Sequence, residues 1–101
     1  MVKADNMTYL YTIEQAKAKM IDLVKNKHEP TLLMLLKDGR QYALIAYKEN
    51  DWEIQKVEQK EENLGKTYNF KSFDEAISSN LPLICLKDEW NNIIQFELQE
   101  W

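Results

Sequence analysis

The chain is short of the residues that punctuate or cross-link a fold: one cysteine, two glycines and two prolines in 101 residues. A single cysteine, Cys85, cannot build an intramolecular disulfide framework, and fits a reducing compartment. Gly39 and Gly65 stand alone, so there is no glycine-rich cradle for phosphate. His28 is the only histidine. It has no cysteine or second histidine near it in sequence, so neither a metal ligand set nor a base with its orienting partner is spelled out. Cys85 lies in the apolar run Leu83-Ile84-Cys85-Leu86, the setting of an inert core thiol. Arg40 is the only arginine among thirteen basic residues. Arginine reads guanine edges and stacks on bases, so its scarcity counts against sequence-specific nucleic-acid recognition. A net charge of −4 counts against non-specific phosphate binding. No apolar run approaches a membrane span, and Met1 to Asp5 lead into no segment of signal-peptide length. The expected location is the cytoplasm, and no cofactor or metal is expected.

What is present is an ordinary globular composition, 45% hydrophobic and 30% charged, in a chain long enough for one core. We read residues 1–101 as a single domain. After a polar lead-in containing Tyr9 and Leu10, Thr12 and Gln15 spell a capping box. The helix it opens runs to about Lys27, with an apolar stripe of Ile13, Ala16, Met20, Leu23 and Val24; Lys17 falls within the stripe and is expected to snorkel. Pro30 ends any continuation.

The stretch from Thr31 to Val57 organises the rest. Asp38-Gly39 between two apolar runs predicts a tight hairpin turn. A two-residue loop there sets Leu35 opposite Tyr42 and Leu33 opposite Leu44. A four-residue loop from Lys48 to Asp51 sets Tyr47 opposite Trp52 and Ile45 opposite Ile54. Alternation then gives a core face of Leu32, Met34, Leu36, Ala43, Ile45, Tyr47, Trp52 and Ile54. The second face carries Leu33, Leu35, Tyr42 and Leu44, bordered by Glu53 and Gln55.

Beyond the meander, Glu58 to Asn63 reads as a solvated loop closed by Gly65. Thr67 to Phe70 reads as a short strand. Ser72 and Glu75 form a second capping box before a helix from Phe73 to about Ser79, with Asn80 as its left-handed cap. Leu83 to Leu86 and Ile93 to Glu100 read as a C-terminal hairpin. The order α-β-β-β-(β)-α-β-β defines an α+β fold with a mostly antiparallel sheet, one long and one short helix.

Function is less legible. The carboxylates Glu49, Asp51, Glu53, Glu58, Glu61, Glu62, Asp88 and Glu89 read as solvated surface or a patch for a basic partner. Aromatics make up 11% of the chain, and Trp90 and Trp101 lie in polar surroundings, where they read either as lids on the core or as interface anchors. The expectation is a non-enzymatic interaction module, an acidic cytoplasmic regulator or inhibitor. Size, charge and composition alone suggest the short acidic type made by phages and mobile elements. It would bind a protein partner or a second copy of itself through Leu33, Leu35, Tyr42, Leu44, Glu53 and Trp90. Two alternatives stand beside it. One is a small-ligand or catalytic domain with a pocket lined by Met20, Met34, Tyr47 and Trp52. The other is a nucleic-acid mimic, which the interspersed lysines weaken.

Overall fold

The computed structural model describes residues 10–57, 67–81 and 84–100. The expectations for Tyr9, for the Glu58–Asn63 loop and Gly65, for Leu83 and for Trp101 lie outside them.

Helix α1, Ile13–Lys25, begins at a complete capping box. The Gln15 N–H donates to Thr12 Oγ1 at 3.0 Å, and the Thr12 N–H donates to Gln15 Oε1 at 3.0 Å. The helix ends two residues before the expected point. Lys27 takes a left-handed φ of 72°, its N–H donates to the Val24 carbonyl, and the His28 N–H reaches back to Leu23. That closing pattern normally uses glycine. Ala16, Met20 and Val24 face the core. Lys17 snorkels to Asp74, 2.6 Å away.

The sheet contains β1 (Thr31–Leu36), β2 (Gln41–Lys48), β3 (Asp51–Val57), β4 (Thr67–Phe70) and β5 (Ile93–Gln99). Its order is β4-β3-β2-β1-β5 and every pairing is antiparallel. The α+β class and the run of elements through the short helix are the expected ones. Helix α2, Phe73–Ser78, starts at Ser72, whose hydroxyl accepts the Glu75 N–H at 3.0 Å. The Glu75 carboxylate reaches one residue further back than a capping box requires, accepting the Lys71 N–H at 2.8 Å. The helix stops at Ser78 with Ser79 as its cap, and Asn80 is not left-handed.

Two features differ from expectation. Leu86 opens a one-turn helix, α3 (Leu86–Glu89), which runs into a 3-10 turn at Trp90–Asn92. Among the described residues there is thus no strand at Ile84 to Leu86 and no C-terminal hairpin. Instead β5 crosses to pair with β1. A four-residue apolar run suits a buried helix start as well as a strand, and periodicity cannot separate the two.

The second difference is the register. The Gly39 N–H donates to Leu36 O at 2.9 Å, and the Leu36 N–H donates to Arg40 O at 2.8 Å. Leu36 therefore faces Arg40 across three loop residues, with Gly39 at φ 96°. This is a turn ending in a left-handed glycine, where a two-residue turn was expected. The pairing becomes Leu32↔Leu44 and Met34↔Tyr42. At the other end Lys48 pairs Asp51, leaving Glu49 and Asn50 as the loop, and a bulge at Tyr47 sets Ala46 opposite Trp52. Both turns shift by one residue, so β2 alone is inverted relative to expectation while β1 and β3 keep their faces.

The covered face consequently carries Leu32, Met34, Leu36, Tyr42, Leu44, Ala46, Trp52 and Ile54, all buried. These residues share one core with α1, α2 and α3. A chain of ring contacts crosses it from Trp52 through Phe73, Trp90 and Phe96 to Tyr11, with centroids 5.3 to 6.5 Å apart. Among the described residues no polar or charged residue is buried. None of the helices among them is long and apolar enough to cross a membrane.

Candidate functional site

Every described helix packs into the core on one side of the sheet. The strand pairings place Leu33 and Leu35 of β1 beside Ala43 and Ile45 of β2 on the opposite side. Leu33, Leu35 and Ile45 are half-buried, and Ala43 forms the floor at 4% exposure. Tyr47 joins them, its hydroxyl donating to Glu53 Oε1 at 3.1 Å. Burial first, and then the Glu53 carboxylate, pushes this phenol above its ordinary pKa, with Asp51 and Glu29 adding negative field.

Polar rows flank the apolar centre. On one side stand Glu53 and Gln55, then Thr67 and Asn69. On the other stand Gln95, Glu97 and Gln99 of β5, which pair with Leu35, Leu33 and Thr31. None of these positions carries a lysine or arginine, although the chain has thirteen such residues. The surface is an apolar strip between two rows of amides and carboxylates, with a shallow depression of about 70 Å³ bounded by Leu33, Leu35, Gln41, Gln95 and Glu97.

Of the six residues expected to bind a partner, three lie on this face: Leu33, Leu35 and Glu53. Tyr42 and Leu44 do not. The inversion of β2 puts them in the core at 2% and 0% exposure, and brings Ala43, Ile45 and Tyr47 to the surface in their place. Trp90 is not an exposed anchor either. It is 7% exposed, and its indole N–H donates to the Tyr11 carbonyl at 2.8 Å. The lid reading of Trp90 describes its position.

Other candidate chemistry disperses. Met20, Met34 and Trp52 are fully packed core residues while Tyr47 lies across the sheet, so these four do not line a common pocket. The Cys85 thiol is half-buried and donates to the Ile77 carbonyl at 3.5 Å. No cluster of three His, Cys, Asp or Glu side chains able to hold a metal occurs among the described residues. A cleft of about 380 Å³ lies where the end of α1 meets β2, between Val24, Lys27, His28, Glu29, Tyr47, Lys48 and Glu49. It joins a histidine to a phenol, but its lysines and glutamates give it no single charge preference.

Comparison of the chain with models of known protein families, with curated proteins and with solved structures finds no match in any of the three.

Proposed function

We propose that the chain is a non-enzymatic interaction module, an acidic regulator or inhibitor that binds a protein partner through the open face of its sheet. One observation supports this reading: the sheet is covered by helices on one side, while on its other side an apolar strip runs between two rows, Glu53 and Gln55 against Gln95, Glu97 and Gln99, that hold carboxylates and amides and no lysine or arginine. Large contiguous apolar patches left open on a monomer mark interaction sites. Complete burial of a Leu or Ile contributes roughly 1.5–3 kcal/mol, and Leu33, Leu35 and Ile45 are already mostly covered by their own chain, so each contact adds at most about 1 kcal/mol. The partner that fits presents apolar side chains with lysine or arginine on either side, meeting Glu53 and Glu97. Opposed charges of this kind raise the association rate and suppress wrong partners more than they raise affinity.

The test is retention of partners from extracts of the producing cells by three folded proteins. Wild type and the α1 variant Glu14→Gln, exposed on the helix-covered side, should retain the same partner, and Leu33→Glu/Ile45→Glu should lose it. A partner held equally by the double variant would contradict the reading. The cleft beside His28 and Tyr47 supports a second reading, a small-ligand site. A thermal-melt screen of metabolites and nucleotides tests it, since a ligand that binds only the folded state raises Tm.

A further inference from the structure

The two edges of the sheet are guarded differently. On one side β4 is four residues long and runs straight into Lys71 and the cap of α2. On the other, β5 is seven residues long and contains no lysine, arginine or proline. These are the residues that usually stop an edge from pairing with another chain. β5 has a bulge at Ile94 and a single charge, Glu97, and beyond the bulge Gln95 to Gln99 pair regularly with β1. Ile94 is 46% exposed, and among the large hydrophobic residues described Leu10 alone is more open.

We infer that β5 pairs edge to edge with β5 of a second copy of this chain, antiparallel, joining two sheets into one. The sequence of β5 disfavours a register centred on Glu97 and fits one centred on Phe96. A two-fold axis normal to the sheet keeps each residue on its own face, so one residue of β5 must sit opposite itself. If that residue were Glu97, two carboxylates would be directly opposed, which is unfavourable. If it is Phe96, Gln95 of each copy faces Glu97 of the other on the open face, an amide donor against a carboxylate acceptor, twice. Ile94 of each copy then lies opposite Leu98 of the other, covering the exposed apolar side chain. The two open faces continue across the junction. The inference concerns the edge and stands independently of a partner on the face.

Sedimentation equilibrium on the full chain up to millimolar concentration tests it. Wild type should form a dimer. Gln95 is exposed, so charge changes there leave the fold intact, which circular dichroism verifies. Gln95→Glu creates two like-charge pairs and should weaken the dimer about tenfold or more. Gln95→Lys creates two opposite-charge pairs and should hold it at least as tightly as wild type. Gln95→Glu/Glu97→Gln exchanges the partners and should restore it. Ile94→Lys should weaken it, and Ile45→Glu on the open face should leave it unchanged. A monomer at every concentration, a dimer insensitive to Gln95→Glu, equal loss with Gln95→Glu and Gln95→Lys, or a dimer dissolved by Ile45→Glu would each overturn the edge pairing.

Discussion

The two faces of the sheet are built from the same three central strands, and both are largely apolar. On the covered face Leu32, Leu44 and Ile54 lie side by side across β1, β2 and β3, each 1% exposed or less. On the open face Leu33, Ala43 and Gln55 do the same, with Ile45 and Glu53 one pair further along. What separates the faces is the third strand. β3 alternates strictly, with Trp52 and Ile54 inward and Glu53 and Gln55 outward, whereas β1 and β2 offer apolar side chains in both directions. The helices therefore settle on the face that is apolar across all three strands, and the residual apolar strip is left on the other. The contrast teaches that an interaction surface can arise from strands whose pattern does not choose a side.

The sharpest way to break the comparison is to truncate neighbouring residues of β2. Leu44→Ala should cost about 2–5 kcal/mol, because it opens a cavity in a packed core. Ile45→Ala should cost about 1 kcal/mol or less, since only strand preference and partial burial are lost. Urea unfolding checks both, and equal losses would mean that the two faces are not distinguished in this way. The turn that assigns the faces comes next. Gly39 has φ 96° with nothing within 4 Å of where a Cβ would sit, so a side chain there meets conformational strain without collision. Gly39→Val should cost about 1–2 kcal/mol or more, and Gly39→Asn less, because asparagine tolerates the left-handed region. Removing a cap should act locally: Ser72→Ala should lower stability by about 1 kcal/mol, read by the same unfolding curves. In the opposite direction, Lys27→Gly should raise stability by about 0.5 kcal/mol, because glycine takes φ 72° without the cost lysine bears.

A pH series sharpens the comparison on the open face itself. The folded state holds the Tyr47 proton more tightly than an unfolded chain does, by burial and by Glu53. The corresponding stabilisation is present below the ordinary tyrosine pKa of about 10 and is lost as pH rises through the higher folded-state value. Tyr47→Phe should remove that part of the alkaline loss of stability, as measured by thermal melts above about pH 10.

The sequence signals that succeeded are those with one physical solution. Thr12 and Gln15 can satisfy each other's orphan backbone groups only at a helix start, and they do so. Ser72 marks the second start for the same reason. Asp38-Gly39 marked a turn without identifying its length. Both hairpin types place a glycine at positive φ after an aspartate, and here Asp38 accepts the Arg40 N–H at 3.1 Å and its Nε–H at 2.8 Å. Nothing in Leu32 to Leu36 or Tyr42 to Tyr47 arbitrates between registers one residue apart, because polar residues are missing from both faces of these strands. The bulge at Tyr47 repeated the slip at the second turn. The face expected to bind partners was thereby half legible: Leu33, Leu35 and Glu53 could be placed from β1 and β3, while β2 contributed Tyr42 and Leu44 in place of Ala43, Ile45 and Tyr47. Trp90 was ambiguous because a tryptophan among polar neighbours can either stand exposed or, as here, find one carbonyl and cover a core.

The central claim is that β2 turns Leu44 inward and Ile45 outward, leaving one face of the sheet open. Paramagnetic relaxation of methyl resonances by a soluble gadolinium chelate, at a concentration where the protein is monomeric, reads this directly. The account predicts strong relaxation for Leu33, Leu35 and Ile45 and weak relaxation for Leu32, Leu44 and Ile54. Strong relaxation of Leu44 with protection of Ile45, or protection of Leu33 and Ile45 together in the isolated monomer, would contradict it.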